Sequence, residues 1–162
     1  MRALHRVGGL TLAAALLVSM SACGSGKDGA EDKAGKDEPR EEQLAQAADR
    51  STCAADATAV ATPYGGQFPD DWPFPTGTTV YDVEDRGDQG TIVTAISTAP
   101  FKTILDFLNH DVVAAGFRVE TGETEEHDAE AEWDGNGHRG RWAIRESGDC
   151  PGETVIQVLA AN

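Results

Sequence analysis

The order of patterns along this chain predicts an α+β domain: an antiparallel sheet of about five to six strands with one amphipathic helix packed on one face, in the order β-β-α-β-β-β. Two observations carry that expectation. β-Branched runs recur between short, glycine-rich connections, and only one stretch in the chain repeats its apolar residues at helical spacing. Hairpin-length links favour antiparallel neighbours, and a single long crossover leaves room for one helix.

Each element has its own signal. QFPDDWPFPTGTT contains Pro69, Pro73, Pro75 and Gly77, so it reads as an extended lead-in outside the hydrogen-bonded ladder, with its aromatics covering an edge of the core. Thr78 to Val83 and Thr91 to Ser97 are β-branched runs separated by EDRGDQG, as expected of a hairpin with a longer loop. Pro100 marks a helix start, and Phe101, Ile104, Leu105, Leu108, Val112 and Ala115 share one face until Gly116 ends it. Phe117 to Thr121, Ala129 to Asp134, Arg141 to Glu146 and Thr154 to Leu159 then read as strands, with turns at GNG and GDCPG. Trp133 and Trp142 fall on neighbouring strands, and a turn near Asn136 would set them diagonally on one face, as core rather than as a stacking platform.

The first 22 residues read differently. Arg2, His5 and Arg6 precede an apolar run from Val7 to Met20, which is shorter than the roughly 20 residues needed to span a bilayer and has the layout of an export signal. Met20-Ser21-Ala22-Cys23 resembles the lipobox of bacterial lipoproteins, with methionine where leucine is usual. The resemblance implies cleavage before Cys23 and a diacylglyceryl anchor on its sulfur, holding the mature protein on the extracytoplasmic face of the cell membrane. Ordinary signal peptidase cleavage after Ser21 is the rival reading. Cysteine arithmetic favours the lipid: the chain has three cysteines, and modifying Cys23 leaves Cys53 and Cys150 as an even pair for a disulfide in an oxidising compartment.

Residues 23–51 are rich in Gly, Ala, Lys, Asp and Glu and nearly free of large apolar side chains. They cannot form a core and read as a flexible tether, although PREEQLAQAADR has the composition of a short helix. Residues 52–162 are then a single α+β domain. The stretches FPDDWPFPTGTTV and ILDFLNHDVVAAGFRV look like those of uncharacterised small envelope-anchored domains of Gram-positive bacteria, in which a proline-rich lead enters the first strand and a helix ends at glycine before an aromatic residue. The resemblance implies a fold and carries no activity.

The formal charge is −15. Removing Arg2 and Arg6 with the leader makes the mature chain −17, with 11 basic and 28 acidic residues, a balance that repels nucleic acid. EHDAEAEWDGNGH offers Glu126, His127, Asp128, Asp134 and His138 as mixed oxygen and nitrogen ligands, and a hairpin would have to bring His127 to His138 for them to share an ion. An alternating solvent-facing surface explains the same pattern. The EF-hand template fails from Asp134, because Arg139 takes the glycine place and Arg145 that of the bidentate acid. Arg86-Gly87-Asp88 spells an adhesion tripeptide, but ordinary turn chemistry accounts for it. No serine stands in a G-x-S-x-G elbow, and no G-x-G-x-x-G or Walker loop is present. The expectation is therefore a non-catalytic envelope module without a cofactor, binding an envelope protein or cell-wall component. A small-ligand or metal-binding lipoprotein, for scavenging or sensing, is the alternative.

Overall fold

The structure is a computed structural model that describes residues 52–162; the leader, Cys23 and the 23–51 segment lie outside the described residues. Contact density divides the chain into Met1–Asp32 and Lys33–Asn162, and the described residues all belong to the second unit. The domain is α+β, as the sequence predicts. Its elements are β1 (Thr78–Asp85), β2 (Thr91–Ser97), α1 (Phe101–Ala114), β3 (Arg118–Thr124), β4 (Asp128–Gly135), β5 (His138–Glu146) and β6 (Thr154–Ala161), with one 3-10 turn at Gly87–Gln89.

All six strands form one antiparallel sheet in the order β1-β2-β6-β5-β4-β3. The chain makes a hairpin, crosses by α1 to the far edge, and returns as a four-strand meander whose last strand slots beside β2. Strands β2 and β6 thereby become central, which explains why TIVTAIS and TVIQVLA are apolar with little alternation: both of their faces are buried.

α1 buries Phe101, Ile104, Leu108 and Val112 against what we call the inner face. That face presents Ala129, Ala131 and Trp133 from β4, Trp142 and Ile144 from β5, and Ile156, Val158 and Ala160 from β6. The helix begins one residue later than Pro100, whose backbone is still extended. It ends before Gly116, which takes φ +102° and turns the chain into β3 at no steric cost. β5 begins three residues earlier than its pattern suggests, because Asn136 and Gly137 both adopt positive φ, 51° and 85°, and close a two-residue hairpin with Gly135 opposite His138.

The lead-in packs as its aromatics imply. Phe68 and Trp72 are buried in the core, Tyr64 and Phe74 pack beside them, and Trp72 stands 4.5 Å from Trp133 and 4.9 Å from Phe117 between ring centres. Such rings contribute about 0.5–1.5 kcal/mol per pair beyond the area they bury. Trp133 pairs with Gly140 and Trp142 with Ala131, so the two tryptophans are diagonal on the inner face. Gly140 must be bare: a Cβ there would collide with the Leu159 carbonyl and press on the Trp133 ring.

Cys53 and Cys150 are joined by a disulfide with 5.6 Å between their Cα atoms. It ties the segment that precedes the lead-in to the β5–β6 loop across 97 residues, and closing a loop of that length stabilises the fold by at most about 4–5 kcal/mol through the unfolded state. Glu153 reinforces the junction by accepting the Ala54 N–H at 2.8 Å.

Candidate functional site

The outer face of the sheet, opposite α1, is chemically unlike the inner one. Alternation along DAEAEWDG sends Asp128, Glu130, Glu132 and Asp134 outward, and alternation along HRGRWAIRE sends Arg139, Arg141, Ala143 and Arg145 outward. The hairpin register sets Asp128 opposite Arg145, Glu132 opposite Arg141 and Asp134 opposite Arg139, a ladder of opposite charges across β4 and β5. Within it the Arg141 guanidinium also donates diagonally to the Glu130 carboxylate, while Arg118 of β3 donates to Asp134 at 2.6 Å. That contact raises the Arg118 pKa, chiefly through the hydrogen bond and the carboxylate's charge.

Between this ladder and the central strands lies a cavity of about 240 Å³. Its walls combine Asp128, Glu130, Arg145 and Glu146 with apolar Ala143 and Val155, and Gln157 also lines it. A second hollow of about 410 Å³ follows, lined by Gly122, Glu123, Glu132 and the Glu130–Arg141 pair. Gln157 is the group of most consequence. It is only 3% exposed, and its Nε2 is buried with no hydrogen-bond partner. A buried donor left unpaired costs about 1–3 kcal/mol. Arg145, whose side chain is exposed, supplies positive charge at the same wall. The arrangement suits a ligand with a carbonyl or carboxylate for Gln157 and Arg145 and an amino group for the surrounding acids.

The structure does not assemble the metal candidates of the sequence. Glu126 and His127 occupy the β3–β4 turn, where His127 Nδ1 lies 2.9 Å from Glu146 Oε2. Asp134 and His138 sit at the other end of β4, Asp134 engaged by Arg118. The expectation that hairpin folding brings His127 to His138 is therefore corrected: the register pairs His138 with Gly135 and Asp128 with Arg145, so the two imidazoles are a strand length apart, about 23 Å at 3.3 Å per residue. One ion, with bonds near 2 Å, cannot span that. Among the described residues, Cys53, Cys150 and Glu153 do bring ligand atoms within 4.8 Å of one another, but the disulfide leaves no thiolate to coordinate.

Sequence reasoning missed Gln157 and the arginine row. The alternation R-x-R-x-A-x-R facing D-x-E-x-E-x-D was visible; Gln157, a lone polar residue in an apolar run, was the only signal for the cavity. The adhesion tripeptide occupies the β1–β2 loop, where Gly87 N–H is held by Asp85 and Arg86 pairs with Glu84 at 3.0 Å. Among the described residues no helix is long and apolar enough to cross a membrane. Compared with known proteins, the chain matches no family model, no curated protein and no solved structure.

Proposed function

We propose that this protein is a lipid-anchored, extracytoplasmic binding module of the bacterial envelope, non-catalytic, which takes a zwitterionic peptide-like cell-wall component in the cavity between β4, β5 and β6. The observation that carries the reading is Gln157: a buried donor without a partner, on a rigid central strand, lining a cavity that also holds Arg145 and several carboxylates. Peptide stems of cell-wall polymers bear both carboxylates and amines, which is the charge pattern the lining complements. The lipobox-like MSAC sequence supports the anchor, and the Cys53–Cys150 disulfide fits an oxidising compartment.

Two measurements test it. Intact mass of the protein extracted from its native membrane, before and after reduction, should match Cys23 to Asn162 plus a diacylglyceryl group and rise by two hydrogens; a mass without lipid refutes the anchor. Titration of the isotope-labelled protein with soluble stem peptides should move the amide signals of Ala143, Arg145 and Gln157. Unmoved signals at millimolar peptide refute the ligand class.

A further inference from the structure

The Cys53–Cys150 disulfide lies against a carboxylate. Both Sγ atoms and an oxygen of Glu153 fall within 4.8 Å of one another, although a disulfide by itself calls for no acid at its side. Two thiolates and a carboxylate are, by contrast, a donor set for zinc. The three residues are also held by more than the sulfur–sulfur bond. Cys150 and Glu153 are the ends of one turn, closed by the Glu153 N–H donating to the Cys150 carbonyl at 3.1 Å, with Gly152 at φ +85°. The base of that turn is tied where the Ser147 N–H donates to the Glu153 carbonyl at 2.9 Å and the Cys150 N–H donates to Ser147 Oγ at 3.1 Å. Cys53 is fixed from the other side: the Asp56 and Ala57 N–H groups both donate to its carbonyl at 3.0 Å, and the Ala54 N–H donates to Glu153 Oε2 at 2.8 Å. None of these hydrogen bonds involves sulfur, so opening the disulfide leaves the backbone of all three ligands in place.

We infer that Cys53, Cys150 and Glu153 form a redox-gated site, which takes one zinc ion when the disulfide is reduced. Opening the disulfide consumes two electrons and two protons, supplied by a dithiol reductant: one of its thiolates attacks a sulfur of the bridge, and the reductant leaves as a disulfide itself. Zinc then displaces both thiol protons and forms two metal–sulfur bonds. Zinc–sulfur bonds near 2.3 Å in a tetrahedron place the sulfurs about 3.8 Å apart, a separation within the 4.8 Å spread of the ligand atoms. Glu153 supplies the third ligand. A carboxylate has about four lone-pair sites, so its bond to Ala54 leaves it free to coordinate while orienting it. Cys53 and Glu153 are half-buried, so water reaches the fourth position. The ion closes the same loop as the disulfide, between residues 97 apart, and thereby replaces the cross-link that reduction removes. The inference does not depend on the ligand proposal, because none of the three residues lines the cavity.

The test is cobalt titration of the reduced mature chain, Cys23 to Asn162, carrying Cys23→Ser so that no third thiol competes. The reduced protein should take one cobalt per chain, with thiolate-to-cobalt charge-transfer absorption and the visible bands of a tetrahedral ion, and zinc should displace it. Zinc should also return the thermal midpoint lost on reduction, while the oxidised protein shows neither effect. Glu153→Gln keeps an acceptor for Ala54, so its oxidised form should melt with the parent. In its reduced form cobalt affinity should fall by more than about tenfold, the smallest loss that even an outer-shell partner brings. If reduction unfolds the metal-free chain, zinc should refold it, read by the return of native tryptophan fluorescence. The inference is overturned by any of four results: no charge-transfer band at millimolar cobalt, a reduced chain that zinc fails to refold, equal affinity in Glu153→Gln, or equal binding by the oxidised protein.

Discussion

The two faces of one sheet solve burial in opposite ways. On the inner face the residues are large: among the described residues Trp133, Trp142, Ile144 and Ile156 share one core with Phe101, Ile104, Leu108, Trp72 and Phe117. On the outer face an aliphatic stripe over β2 and β6 gives way to a ladder of arginines and acids over β4 and β5. The first face stabilises the fold whatever surrounds it. The second leaves a buried amide unpaired and sets charged side chains around a cavity.

The largest expected effect breaks the inner face. Trp133→Ala should cost about 3–5 kcal/mol in denaturant unfolding, since the ring contacts Trp72 and Phe117 and the bare Gly140 strip cannot collapse into the void. Next is the disulfide, which anchors the lead-in that roofs that face. Cys53→Ser with Cys150→Ser should lower unfolding free energy by about 2–5 kcal/mol, and the loss should appear equally on reduction of the wild type.

Outer-face substitutions should separate stability from binding. Gln157→Leu removes the unpaired donor at similar volume, so stability should hold or rise by about 1 kcal/mol while stem-peptide shifts disappear. Arg145→Glu should change stability by less than about 0.5 kcal/mol and weaken the same titration. The smallest effect belongs to His127→Ala: its contact with Glu146 is exposed, zinc should give no thermal shift in either protein, and a zinc-dependent stabilisation lost in the variant would reopen metal binding.

Much of this architecture is legible one residue at a time. The helix shows because Phe101, Ile104, Leu108 and Val112 recur with the helical period and Gly116 stops it. The strands show because β-branched runs lie between glycine-bearing turns. The diagonal of Trp133 and Trp142 follows from where GNG must turn. Boundaries drift where turn geometry intervenes, as at His138, which the tight Asn136–Gly137 turn draws into β5.

The candidate site was less legible. His127 and His138 look adjacent in a string of ligands, and only the register reveals that a whole strand separates them. Gln157 looks like an imperfection in an apolar strand until β6 is placed between β2 and β5.

By itself, the sequence determined the class of fold, the helix and strands in order, and the pairing of Cys53 with Cys150, because local period, turn chemistry and cysteine count act over short range or by simple tally. Tertiary structure alone decided that the last strand returns to the centre, that arginines stand opposite acids across β4 and β5, and that a buried glutamine lines a cavity. Those depend on which distant strands become neighbours, and pairing across an antiparallel sheet is set by the packing of the whole domain.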